Sequence, residues 1–134
     1  METIHHHINI NTSANNIYAL VATKVGIQKW LRAEEGWTIK GSEELGGTIL
    51  FYLHNDHHEM KMMKLEPDSL VSWQCTVGPP EWLGTRVDFL IDAKDDGCIL
   101  QFTHEGWADR TAFFEECDKA WGEYVAEIKR VAER

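Results

Sequence analysis

The chain has 134 residues, 43% of them apolar and 26% charged; this is ordinary globular composition at a length that buries about two-thirds of the extended-chain surface, which excludes wholesale disorder and fibrous architecture. A formal net charge of -9, with 13 scattered basic residues, repels a phosphate backbone and argues against nucleic acid as a partner. No apolar run reaches the roughly 18 residues of a membrane span and the N-terminus lacks the order of a signal peptide, so the expected location is the cytoplasm, and Cys75, Cys98 and Cys117, far apart and without a C-x-x-C pair, read as buried free thiols in a reducing compartment.

Ile4, His6, Ile8 and Ile10 alternate with His5, His7 and Asn9, the period of a strand with one buried face. Asn11-Thr12-Ser13 offers short polar side chains that can accept from the free amides of a first helical turn, so a helix is expected from about Ala14. Ile17, Leu20 and Val21 share one face of it. After Thr23 a second short helix carries Ile27, Trp30 and Leu31, and the pair reads as a bent helical unit broken near Gly26.

From Trp37 to about residue 105 the period is mostly two, interrupted at Gly41-Ser42, His54-Asn55-Asp56-His57, Pro67-Asp68, Gly78-Pro79-Pro80 and Asp95-Asp96-Gly97. Such clusters accept tight or left-handed backbone, and six antiparallel strands fit around them. The cleanest alternations are Val71, Trp73, Cys75, Val77 and then Val87, Phe89, Ile91. Gly46-Gly47, ahead of the strand Thr48 to Leu53, permits a bulge or a close backbone approach, and with it a curved sheet.

Asp109 or Thr111 can cap a last helix, whose apolar stripe runs Phe114, Cys117, Trp121, Tyr124, Ile128 and Val131. The expected fold is therefore α+β: a curved antiparallel sheet of about seven strands around a long C-terminal helix, with two short helices after the first strand, in one domain over residues 1–134. A bent sheet cannot lie flat along a straight helix, and the gap must be filled by side chains or by a ligand. Trp73, Phe89 and Phe102 fall on inward strand positions, opposite Trp121 and Tyr124 on the helix. For any single ring, plain core packing is the better reading.

His104 keeps step with Leu100 and Phe102 and so points inward, where it could orient a ligand, move a proton, or simply be hydrogen-bonded to a neighbour. His54, Asp56, His57, His58 and Glu59 are dense in metal-binding types, but a hairpin turn spreads them apart, and consecutive His5, His6 and His7 alternate faces. No metal and no cofactor is expected. Hydrolase elbows, phosphate-binding glycine loops and H-E-x-x-H are missing from the sequence.

The order of elements, together with Ser13-Ala14-Asn15-Asn16-Ile17-Tyr18-Ala19-Leu20, Gln28-Lys29-Trp30-Leu31, Leu45-Gly46-Gly47, Leu65-Glu66-Pro67-Asp68, Trp82-Leu83-Gly84-Thr85 and Phe102-Thr103-His104-Glu105-Gly106-Trp107, resembles the START-like superfamily, also called SRPBCC or the birch-pollen-allergen fold. The nearest branch resembles the single-domain homologues of the activator of the heat-shock ATPase. The resemblance implies a helix-grip fold enclosing an apolar cavity, and hence a protein that binds a small hydrophobic or amphipathic ligand; the superfamily also contains cyclases, so an enzyme stays open as the lesser expectation. Trp30, Phe51, Trp73, Phe89, Phe102, His104, Trp121 and Tyr124 are the expected ligand-binding set. The alternatives are a cavity-based cyclase or lyase using His104 and Tyr124, and an accessory protein of a heat-shock chaperone. A homodimer through an edge strand or an exposed aromatic patch is also open.

Overall fold

A computed structural model describes residues 1–134. Strand β1 (Glu2–Ile10) leads into helices α1 (Ala14–Ala22) and α2 (Lys24–Trp30) and a 3-10 turn at Ala33–Glu35. Six strands follow: β2 (Trp37–Gly41), β3 (Thr48–Leu53), β4 (Asp56–Glu66), β5 (Leu70–Val77), β6 (Arg86–Lys94) and β7 (Gly97–Trp107). Helix α3 (Ala112–Ala132) completes the chain. All strands join one antiparallel sheet in the order β1-β7-β6-β5-β4-β3-β2, which makes β1 and β2 its edges. The architecture is the expected α+β helix-grip.

Caps set the helix boundaries. The Ser13 hydroxyl accepts from the Asn16 amide at 3.1 Å and the Thr111 hydroxyl from the Phe114 amide at 3.2 Å, so of the two candidate caps for α3 it is Thr111 that serves. Thr23 ends α1 and starts α2: its hydroxyl donates to the Ala19 carbonyl at 2.7 Å and accepts from the Gly26 amide at 2.9 Å. The chain therefore breaks at Thr23 and not at Gly26, which lies inside α2. Glycine is needed there for contact, since a Cβ would sit 2.0 Å from the Ala19 carbonyl oxygen and 2.7 Å from Leu20 Cα.

Cross-strand register stacks the inward side chains in rows. One row runs Ile4, His104, Val87, Trp73, Met62, and the next places His6 against Phe102 and Phe102 against Phe89. In β4 the register shifts twice, between Glu59 and Met60 and between Met62 and Lys64. The second shift leaves Met63 without a partner, so the inward positions change from the buried Met60 and Met62 to the partly buried Leu65, which pairs with Val71. Bulges of this kind bend a strand and deepen its twist. The hairpin before β4 is also tighter than expected: only His54, at φ 54°, and Asn55 turn, and His57 and His58 already belong to the strand.

Helix α3 buries Phe114, Cys117, Trp121, Val125, Ile128 and Ala132. The inner line thus passes through Val125 and Ala132, and the expected Tyr124 and Val131 lie half-buried beside it. The cause is the 3.6-residue turn, which rotates a stripe of strict three- and four-residue steps around the helix. The helix approaches β1 most closely. The His6 ring lies under Gly122, where a Cβ would sit 3.2 Å from it, and its Nε2 is 2.9 Å from the Asp118 carbonyl oxygen. Anchored at the β1 edge, α3 leaves β3, β4 and β5 facing it across a gap.

Candidate functional site

That gap is a cavity of about 70 Å³ between α2, α3 and the far half of the sheet. Trp30 and Leu31 close it from α2, Trp37 from β2, Phe51 from β3, His58 and Met60 from β4, and Trp73 from β5. Trp82, on a 3-10 turn at Pro80–Trp82, and Cys117, Ala120, Trp121 and Tyr124 of α3 complete the wall. No polar atom reaches the cavity surface. A wider opening of about 390 Å³ lies outside it and shares Trp30, Trp37, Ala120 and Tyr124, adding Arg32, Glu35, His54, Glu123 and Glu127 at its rim.

Five of the eight residues expected at a ligand site therefore line the cavity: Trp30, Phe51, Trp73, Trp121 and Tyr124. Phe89 and Phe102 are fully buried behind it. They tie the wall together, with ring centroids 4.9 Å apart for Trp73 and Phe89, 5.3 Å for Phe89 and Phe102, and 4.4 Å for Phe102 and Trp121. Edge and tilted contacts of this kind add to area burial and fix the walls in place.

His104 is also behind the wall. Its Nδ1 accepts from the Trp121 indole N–H at 3.1 Å. An indole nitrogen only donates, so Nδ1 carries no proton and the neutral ring is the Nε2–H tautomer. Nε2 then donates to the Thr85 hydroxyl at 2.8 Å, and that hydroxyl donates to the Trp82 carbonyl at 2.5 Å. Burial holds the imidazole well below its ordinary range, at about 3. The relay fixes Trp121 and the Trp82 turn, both of which face the cavity.

Strand parity did not point to four aromatic or polarisable members of the wall. Trp82 comes from a turn, and its ring is 4.9 Å from both His58 and His104. His58 was grouped with an exposed turn, but it pairs with Phe51 on the inward side of β4 and burial lowers its pKa. Met60 follows His58 on the same face, and Cys117, expected only as core, has its thiol pKa raised chiefly by burial. The signal that could have found His58 and Met60 was a two-residue hairpin, which makes both inward by parity with Phe51.

The remaining histidines diverge. His5 and His7 lie on the outer face of β1, His6 turns to Asp118, and His57 stacks on Tyr52 at 4.8 Å with Glu59 3.1 Å away. No helix is long and apolar enough to cross a membrane.

Comparison with known proteins follows from this geometry. A family model described as Activator of Hsp90 ATPase homolog 1-like protein matches residues 11–133. No curated protein matches significantly. Among solved structures, an Aha1 dimer from Colwellia psychrerythraea is 29% identical, with 99% of this chain and 97% of that chain covered and a TM-score of 0.89. Protein MLL2253 from Mesorhizobium loti superposes at 0.81 with 14% identity, over 97% and 96% of the two chains. An AHSA1-like protein from Aeromonas hydrophila does so at 0.74 with 15% identity, over 98% and 92%; these last two speak for the fold alone. Since the family model spans nearly the whole sequence, the chain belongs to the Activator of Hsp90 ATPase homolog 1-like family, within the START-like superfamily.

Proposed function

We propose that this protein binds a small hydrophobic molecule, or the apolar part of an amphipathic one, in the cavity between sheet and α3. The observation that carries this reading is an apolar wall without exposed polar atoms around a space between sheet and helix, bordered by a wider opening that shares Trp30, Trp37, Ala120 and Tyr124 with it. At about 70 Å³ it is far below the roughly 300–1,000 Å³ of drug-sized pockets, so the part enclosed is small. Burying each methylene of a ligand there contributes about 0.8 kcal/mol before the cost of association.

Six tryptophans, five of them in the wall, make intrinsic fluorescence the direct readout. Titration with short alcohols and small aromatics is expected to shift the emission saturably. A flat response across the series, with native mass spectrometry showing only free protein, would remove the reading.

Binding is favoured over cyclase or lyase chemistry because both nitrogens of His104 are engaged by Trp121 and Thr85. An accessory role toward a heat-shock ATPase is suggested only by the family description, and the cavity favours ligand binding over it. The relative from Colwellia psychrerythraea is a dimer, and we carry that over as a second proposal: β1 and β2 end the sheet with unpaired edges. Light scattering is expected to give twice the 15.4 kDa chain mass; a monomer at high concentration would exclude it.

A further inference from the structure

We propose that His5 and His7 chelate a divalent transition-metal ion on the outer face of β1, across the sheet from the cavity and independently of it. Three consecutive histidines on a strand cannot close on one ion, but the alternation that turns His6 inward sets His5 and His7 on one face, both exposed. Their Cα atoms are two strand residues apart, about 6.6 Å, and their side chains run side by side. The ring centroids lie 6.0 Å from each other, with the planes inclined by 40°. An ion held about 2.0–2.1 Å from one nitrogen of each imidazole stands roughly 3 Å from both ring centres. The observed spacing is therefore one that a single ion can bridge with small side-chain rotations.

Both rings are free to take it up. Neither is hydrogen-bonded or ion-paired within the chain, whereas His6 is engaged by Asp118 and His57 by Glu59. Because β1 is an edge of the sheet, one flank of the pair is open. On the other flank His5 sits beside Thr103 and His7 beside Gln101, both neutral. Neither β1 nor β7 carries a lysine or arginine, and Glu2 and Glu105 lie at one end of their ladder. Arg86, two strands from β1, is taken by Asp88 and Glu105. Lys129 of α3 reaches the β1 edge only at the Asn9 carbonyl and is paired with Glu133.

The ligand set selects the ion. Imidazole nitrogens suit copper, nickel and zinc, whereas magnesium and calcium require oxygen donors. No third histidine, cysteine or carboxylate joins the pair, so water fills the remaining positions and the ion exchanges readily. The affinity order then follows that of the ions themselves, with copper(II) ahead of zinc(II). The formal net charge of -9 adds a long-range field that favours any cation over an anion.

Calorimetric titration of the full chain with zinc(II), copper(II) and magnesium(II) tests this. Zinc and copper are expected to bind, copper the more tightly, and magnesium not at all. Because the second imidazole closes on an ion already held by the first, His5→Ala and His7→Ala should each weaken zinc by about 100-fold, and His57→Gln should leave it unchanged. Spacing is tested at constant histidine count through the exposed Asn9. Asn9→His added to His5→Ala again puts two histidines two residues apart and is expected to recover zinc binding. Added to His7→Ala it leaves them about 13 Å apart, and the binding should stay lost. Full affinity in either single alanine variant, recovery in both double variants, or no zinc binding by the native chain overturns the chelate, and each of these outcomes leaves the apolar-cavity reading standing.

Discussion

The Trp121 indole N–H donates to Nδ1 of His104, joining the middle of α3 to the end of β7 inside the sheet's concave face. This bond fixes the histidine tautomer and makes the ring an acceptor toward the helix and a donor toward Thr85. Trp121→Phe keeps most of the ring volume and leaves Nδ1 without a partner. A loss of about 1–3 kcal/mol is expected in urea unfolding. In nitrogen-detected spectra of the native chain His104 is expected as the Nε2–H tautomer, and an Nδ1–H signal at neutral pH would contradict the relay.

Acid should destabilise the fold before its carboxylates titrate. His104 is neutral in the folded chain, with a pKa of about 3, and ordinary, near 6.5, in the unfolded one. The unfolded state therefore binds the extra proton first, so the contribution is complete above pH 6.5 and declines as pH falls toward 3. By linkage, about 2 kcal/mol is lost by pH 5. His58, also lowered by burial, acts in the same direction. Glu127 and Glu133, lowered by Arg130 and by the Asn11 amide, lose their contribution only at more acid pH. Unfolding free energy measured from pH 7 to 4.5 is expected to fall steadily in the native chain and less steeply in His104→Gln, and parallel slopes would exclude His104 as the cause.

Gly26→Ala is expected to cost about 1–3 kcal/mol or more, through overpacking and not through helix propensity, which would favour alanine. Its Cβ would fall inside the backbone of Ala19 and Leu20, so α2 must move away from α1. Because Trp30 hangs from the Leu20 carbonyl, the cavity wall should move with it. A shifted midpoint together with a changed tryptophan emission maximum is the expected pair; unchanged stability would mean the two helices are free to separate.

Ala120 offers a way to close the cavity without touching the core. Its Cβ faces the space from the half-buried flank of α3. Ala120→Leu adds three carbons, close to what the void can take, and leucine is nearly as good a helix former. Stability is expected to stay within about 1.5 kcal/mol of the parent, with every fluorescence response to small apolar probes lost. Undiminished binding by this variant would place the ligand elsewhere.

What the sequence determined by itself is the list of elements and, outside the second half of α3 and the start of β4, the face each buries. Alternation at Val71, Trp73 and Cys75, the short polar residues ahead of α1 and α3 from which the structure selects Ser13 and Thr111 as caps, and the spacing of Phe114, Cys117 and Trp121 are local signals, each read within one or two turns of chain. They carried the fold and five of the cavity's lining residues, Trp30, Phe51, Trp73, Trp121 and Tyr124. Tertiary structure alone decided the rest. The register shifts of β4 reset parity beyond Met62, the two-residue hairpin turned His58 inward, and anchoring of α3 at β1 set which rings border a void and which, like Phe89 and Phe102, are packed behind it. A cavity is the difference between two surfaces placed by contacts distant in the chain, and no local periodicity encodes that difference.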